Sequence, residues 1–165
     1  MDIKEIPNFL SSQELIKINQ YFSGPVWQYG GVSTQEYKSY KKIWNTDLRD
    51  DKYLSVICFN RIKEHIEETV TIGDLYANGQ TYGMSGSIHK DNSDYTLLIY
   101  SNLHWNLDWG GRTVFISKDG EQKSFSPIPG LAILSKGNID HYSDEISREC
   151  YELRTTIVYK LNISI

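Results

Sequence analysis

The spacing of apolar residues predicts two helices in the first half of the chain. Within residues 8–22, apolar side chains recur at helical intervals: Leu15, Ile18 and Phe22. Ser11 and Glu14 precede them with the spacing of a capping box. The second helix is predicted from about Asp51 to Glu68, where apolar residues again recur at helical spacing. Both helices are expected to bury one face against a core.

From Gly73 onward the pattern changes to short strand-like runs separated by Gly, Asn, Asp, Ser and Pro. The runs are DLYA, YGMSGSIH, YTLLIYSN, RTVFIS, KSFSPI, LAILSK and RTTIVYKL. Their regular spacing predicts a sandwich or barrel with the two helices packed outside it. Because 165 residues suffice for one domain with a substantial core, we predict a single domain. Its helical part covers about 1–72 and its β core about 73–165.

Composition narrows the class of protein. The chain is 39% hydrophobic and 23% charged, as in soluble globular proteins, and its 12 tyrosines favour strands. It has no apolar run long enough for a membrane span and no signal-peptide pattern, so the expected location is the cytoplasm. Cys58 and Cys150 form no Cys-x-x-Cys pair, which argues against a zinc ribbon. A net charge of −4 argues against nucleic-acid partners.

Candidate metal ligands lie in the strand-like part. His89 and Asp91 are two residues apart and would project from the same face of a strand, although one such pair is weak support by itself. His141 follows the run LAILSK, and two histidines with one carboxylate form the ligand set of non-haem Fe(II) oxygenases. Arg154 opens the last run, and an arginine directed into a barrel requires an anion such as a carboxylate. Thr156, on the same face, can add a hydroxyl.

The order of these motifs resembles a known family. HKD is followed by YSNLHWNLDWGGRTVF, FSPIPGLAIL, a further His and LRTTIVY. This succession over residues 73–161 is similar to the 2-oxoglutarate and Fe(II)-dependent oxygenases, in particular to their prolyl 4-hydroxylase-like branch. The N-terminal IPNFLSSQELIKI also resembles the opening helix of that family.

The resemblance implies a mainly β (α+β) fold, a double-stranded β-helix or jelly roll with helices packed outside. It implies three iron ligands: His89, Asp91 and His141. The cosubstrate 2-oxoglutarate would place its distal carboxylate at Arg154. Tyr100 matches a family tyrosine that hydrogen-bonds this carboxylate, and Tyr76 matches a second pocket tyrosine less closely. In the family, O2 and 2-oxoglutarate are converted with release of succinate and CO2 while a C–H bond is hydroxylated, and ascorbate is an optional reductant.

The substrate is the least determined part of this prediction. The branch favours a peptidyl side chain, with proline as the leading candidate. However, prolyl hydroxylases of the branch often carry a tryptophan six residues after the C-terminal basic residue, where this chain has Lys160. The alternatives are a nucleobase or free small metabolite as substrate, a metal-free jelly-roll binding module, and a metal-assisted hydrolase. Residues 24–49 are expected to cover the mouth of the site and contact substrate.

Overall fold

Ten strands arranged in two antiparallel sheets form the core of residues 1–32 and 41–164, which the computed structural model describes. The strands are β1 (Ile3–Ile6), β2 (Gln28–Gly31), β3 (Ile43–Asp47), β4 (Val70–Gln80), β5 (Tyr95–Tyr100), β6 (Thr113–Ile116), β7 (Gln122–Phe125), β8 (Ala132–Lys136), β9 (Asp140–Ser143) and β10 (Arg154–Ile163). The larger sheet has the order β1-β8-β5-β10-β4-β3-β2, and the smaller one β7-β6-β9. The predicted mainly β jelly roll is confirmed.

Strand β10 lies in the middle of the larger sheet, between β5 and β4. Successive residues of a strand point to opposite faces. On one face, buried apolar residues of β10 join the main hydrophobic core with the helices: Ile157, Tyr159 and Leu161. The other face of the sheet lines an internal cavity together with residues of the smaller sheet. The sheet therefore separates a helix-packed core from the candidate site.

The first predicted helix is confirmed as α1 (Ser12–Phe22). Its capping box is complete: the Glu14 N–H donates to Ser11 Oγ over 3.3 Å, and the Ser11 N–H donates to Glu14 Oε2 over 2.7 Å. Leu15 and Phe22 of α1 lie in the main hydrophobic core. No helix in the described part of the chain has the length and apolar character needed to cross a membrane.

The second helix is shorter than predicted. It consists of a π-helical segment (Tyr53–Cys58) followed directly by α2 (Phe59–Lys63). It ends before Glu68 because the predicted last turn contains several acidic residues, which interact unfavourably with the negative end of a helix dipole. Cys58 is buried on this segment as a free thiol.

The N-terminal part contains more strand than predicted. Strands β1, β2 and β3 all lie within residues 1–72, and β4 begins at Val70. Conversely, the run at 82–89 forms no strand and contributes only an isolated pairing at its last residue, His89. Gly83 in this run has a φ of 74°, which suits a turn and interrupts an extended segment.

Candidate metal and cosubstrate site

Backbone pairing brings the two predicted histidine ligands together. The His89 N–H donates to the His141 carbonyl over 3.0 Å, and the His141 N–H donates to the His89 carbonyl over 2.9 Å. The Asp91 N–H donates to the carbonyl of Gly137, which precedes β9, over 2.8 Å. A Cβ atom at Gly137 would lie 2.1 Å from the Ser93 carbonyl oxygen, so only glycine permits this close approach. These contacts place His141 beside the HKD segment despite their separation in sequence.

The side chains of this triad present a compact set of ligand atoms. His89 Nε2 lies 3.4 Å from Asp91 Oδ1, and His141 Nε2 lies 3.5 Å from Asp91 Oδ2. Each histidine Nδ1 contacts a backbone carbonyl two residues earlier, at 2.8 and 2.9 Å. A carbonyl can only accept, so Nδ1 carries the proton and the Nε2 lone pair is left for a metal. Ligand atoms of all three residues lie within 4.8 Å of one another, which fits Fe(II) with three adjacent positions open.

The carboxylate of Asp91 is held in its ionised form. Burial opposes ionisation, but the proximity of His89 and the charge of Lys160 outweigh it, so the pKa of Asp91 lies far below its usual range. Thr96 Oγ1 donates to Asp91 Oδ2 over 2.6 Å, and Lys160 Nζ contacts Oδ1. Burial lowers the pKa of His141 to about 4, so this imidazole is neutral near pH 7. Asp91 and His141 are thus in the protonation states that metal binding requires.

Lys160 occupies the position where the prolyl hydroxylase branch often carries tryptophan. Its ammonium contacts the carboxylate of Asp91, and burial lowers its pKa against the attraction of that carboxylate. It therefore places a positive charge directly beside a candidate metal ligand. Sequence inspection marked this position as a departure from the family but did not predict the contact.

Arg154 is buried without an anionic partner. Its side chain is 2% exposed and donates to three neutral acceptors: Gly111 O at 2.6 Å, Gln80 Oε1 at 2.8 Å and Thr113 Oγ1 at 3.3 Å. No carboxylate within residues 1–32 and 41–164 forms an ion pair with it. Burial disfavours the charged guanidinium and lowers its pKa. A buried cation in this situation favours binding of an anion.

Tyr100 lies behind this arginine and does not line the cavity. Its ring centroid is 5.5 Å from the Arg154 guanidinium carbon. Its hydroxyl lies 2.9 Å from the Phe125 carbonyl and 2.8 Å from Thr113 Oγ1. Because the carbonyl can only accept, Tyr100 donates its proton to Phe125, and the Thr113 hydroxyl donates to Tyr100. The direct contact between Tyr100 and the cosubstrate carboxylate, which the family resemblance implies, stays a prediction.

One cavity of about 560 Å³ connects the triad with Arg154. Both remaining predicted pocket residues, Tyr76 and Thr156, line it. Burial raises the pKa of Tyr76, so its phenol is neutral. The cavity is also lined by described parts of the 24–49 segment, on β2 and β3, whereas residues 33–40 of that segment lie outside the described residues.

Sequence reasoning missed three polar residues around the site: Thr96, Gln80 and Thr113. Gln80 and Thr113 accept hydrogen bonds from Arg154, and Thr96 donates to Asp91. Gln80 follows Tyr76 and Asn78 at strand intervals of two, so the alternation along β4 could have identified it. Thr96 and Thr113 depend on pairing between distant strands, which the local pattern does not contain.

Comparison with solved structures identifies the architecture. A 2OG-Fe(II) oxygenase family oxidoreductase from Burkholderia pseudomallei superposes with a TM-score of 0.76 at 13% identity, covering 97% of this chain and 85% of that one. The chain has the fold of the 2-oxoglutarate and Fe(II) oxygenases. A prolyl hydroxylase from Trichoplax adhaerens, in complex with a hypoxia inducible factor peptide fragment, gives a TM-score of 0.76 at 21% identity, with coverage of 98% and 83%.

A prolyl-4-hydroxylase from Pseudomonas putida also has this oxygenase fold, with a TM-score of 0.69 at 15% identity and coverage of 96% and 91%. No protein-family model and no curated protein sequence matches the chain. At these identities the likeness concerns the fold, and the chemistry depends on the residues of the site.

Proposed function

We propose that this chain is an Fe(II)- and 2-oxoglutarate-dependent dioxygenase that hydroxylates a C–H bond of a peptidyl side chain, with proline as the leading candidate. The observation that carries the proposal is that one cavity contains both a His-Asp-His ligand set and a buried arginine without a carboxylate partner. 2-Oxoglutarate satisfies both, because its keto-acid end chelates iron and its distal carboxylate suits a guanidinium.

His89, Asp91 and His141 would hold the iron, which together with O2 supplies oxidative decarboxylation of 2-oxoglutarate coupled to oxygen insertion into a C–H bond. The proton on each histidine Nδ1 is fixed by a backbone carbonyl, which orients both rings. The Thr96 hydroxyl orients Asp91 by donating to its Oδ2 atom. Arg154 and Thr156 bind the distal carboxylate, and Tyr76 closes the pocket beside them. The reaction converts substrate, 2-oxoglutarate and O2 into hydroxylated product, succinate and CO2.

Several observations weigh against the alternatives. A metal-free binding module would have no need of a neutral His141 and an ionised Asp91 beside each other. A hydrolase uses no 2-oxoglutarate and would have no need of a buried arginine without a carboxylate partner in the same cavity as the triad. The net charge of −4 disfavours nucleic acid, and a small metabolite remains the second candidate. We further propose a cytoplasmic location, with which two free thiols agree.

Cosubstrate binding tests the iron chemistry first. Anaerobic addition of Fe(II) and 2-oxoglutarate should give the weak visible charge-transfer band of the chelate. His89→Ala and Asp91→Ala should each abolish it, whereas His104→Ala, an exposed histidine paired with Glu152, should retain it. Full metal affinity in both triad variants would contradict the assignment of the ligands.

Turnover tests the reaction and the substrate class. Succinate release and a mass increase of one oxygen atom should be measured with proline-containing peptides, free amino acids and single-stranded DNA. Stimulation by a peptide supports the proposal. Stimulation by DNA or a free metabolite alone would contradict the peptidyl substrate but not the iron chemistry. If 2-oxoglutarate is not consumed under any condition, the proposed dioxygenase activity is refuted.

A further inference from the structure

A row of carboxamide side chains forms a separate wall of the cavity. Gln28 on β2 lies opposite Asn45 on β3, and Asn45 lies opposite Asn78 on β4. All three line the same cavity as the triad. Directly paired residues have Cβ atoms roughly 5 Å apart, so the row spans about 10 Å across the sheet. Asn78 pairs with Thr156 of β10, so the row begins beside the proposed cosubstrate pocket and extends away from it.

The inner two members of this row have unused hydrogen-bonding capacity. Within the ranges 1–32 and 41–164, the side-chain amides of Asn45 and Asn78 form no hydrogen bond, although both residues are half-buried. Gln80, the next cavity-facing residue of β4, differs: its amide donates to Ser143 Oγ at 2.8 Å and accepts from Arg154 at 2.8 Å. Since enclosed polar groups generally have partners, the two asparagines are available to a ligand.

The chemistry of this wall suits an uncharged amide. Each carboxamide offers N–H donors and a carbonyl acceptor, and a peptide bond presents the complementary acceptor and donor. The cavity near the row is also lined by aliphatic residues: Val26, Val32 and Ile43. The cation at the mouth, Arg49, is already bonded to Asp47 through both of its carboxylate oxygens. The wall therefore provides neutral polar and apolar contacts.

We propose that Asn45 and Asn78 bind a peptide bond of the substrate, so that this cavity selects an extended polypeptide segment over a free amino acid. This inference rests on the proposed function and specifies how the substrate is recognised. A free amino acid brings an ammonium and a carboxylate next to the reacting carbon, and a neutral amide row pairs such charges poorly. A segment within a polypeptide replaces both charges by amides.

Gly31 provides an independent way to disturb this wall. A Cβ atom at Gly31 would lie 2.4 Å from Asn45 Nδ2, the end of a flexible side chain. Gly31→Ala therefore displaces the Asn45 amide while leaving the asparagine in place. Asn45→Leu and Asn78→Leu remove the hydrogen-bonding groups at similar volume. Asn60→Leu, on the exposed surface of α2, is the matched control.

The experiment uses the full chain with Fe(II) and 2-oxoglutarate. The probes are proline-containing peptides with acetylated and amidated ends, the same peptides with an N-methylated bond beside the proline, free proline and a single-stranded oligonucleotide. For the unmodified peptide, each wall variant should raise KM about 3- to 10-fold, as expected for loss of neutral hydrogen bonds. N-methylation should weaken the wild type similarly but weaken Asn45→Leu or Asn78→Leu much less, because the shared hydrogen bond is already lost.

Uncoupled succinate release without peptide and the Kd of 2-oxoglutarate should be the same in wild type and in the Asn60→Leu control. The inference is overturned if peptide KM is unchanged in all three wall variants. It is also overturned if only free proline or the oligonucleotide stimulates turnover, or if no probe does while uncoupled turnover persists. Absence of succinate even without a peptide would instead refute the proposed dioxygenase itself.

Discussion

Replacement of Arg154 by methionine is the most direct test of how the cavity holds the cosubstrate. Methionine preserves an unbranched side chain in this buried position but removes the charge. The guanidinium donates only to neutral groups, so the incoming carboxylate would be its first anionic partner. Truncating one partner of a buried charge pair costs about 2–5 kcal/mol. This corresponds to a loss of about 30- to several thousand-fold in 2-oxoglutarate affinity.

The assay is anaerobic calorimetric titration of 2-oxoglutarate into the Mn(II)-loaded protein. Mn(II) affinity should change little, because Arg154 contacts none of the three candidate ligands. The variant also leaves the Gly111 carbonyl and Gln80 without a donor, so thermal unfolding must be recorded and the titration performed well below the midpoint. Arg148→Met, at an exposed arginine six residues earlier, is the control. A Kd within threefold of wild type for Arg154→Met, or a large loss in Arg148→Met, would refute the assignment.

Three further predictions concern the surroundings of the site. Tyr100→Phe should change the Kd of 2-oxoglutarate less than about fivefold, because the Tyr100 proton is already donated to a carbonyl. A loss of affinity as large as that of Arg154→Met would instead indicate that Tyr100 hydrogen-bonds the cosubstrate carboxylate directly. Lys160→Met should raise Mn(II) affinity about 10- to 100-fold in calorimetry, since it removes a cation from the Asp91 carboxylate, and unchanged affinity would contradict this. Finally, unfolded histidine binds its proton near pH 6.5 but folded His141 only near 4, so the unfolded state binds more protons between these values. Urea unfolding of the metal-free protein should therefore show stability falling by up to about 3 kcal/mol as pH drops through this window, and His141→Leu should reduce the fall.

The candidate metal ligands and the β core were predictable because their signals are local or follow a fixed order. The HKD segment, the later histidine and the arginine that opens β10 are separate short motifs, and the capping box of α1 is fixed within four residues. The comparison of folds agrees with the architecture that these motifs indicated.

Strands β2 and β3 were not predicted, and the reason is physical. Their cavity-facing positions include the polar Gln28 and Asn45 as well as Ile43, so a regular alternation of apolar and polar residues is absent. The hydrogen-bond partners of Tyr100 were equally inaccessible, because the direction of its hydroxyl depends on Thr113 and Phe125 in the other sheet. Such contacts arise only when distant segments pair.

Because β10 has one face in the core and one in the cavity, the correct position of its site residues depends on correct folding of the whole domain. Ile157, Tyr159 and Leu161 are fully buried against the helices, while Arg154 and Lys160 face the cavity. A slip of one residue in this strand would drive both cations into the apolar core and turn the three large side chains into the cavity. The energetic penalty for such an error is that of a disrupted core, far larger than any single contact with a ligand. Misregistered chains would consequently be removed as unfolded protein before they could exist as folded but inactive enzyme.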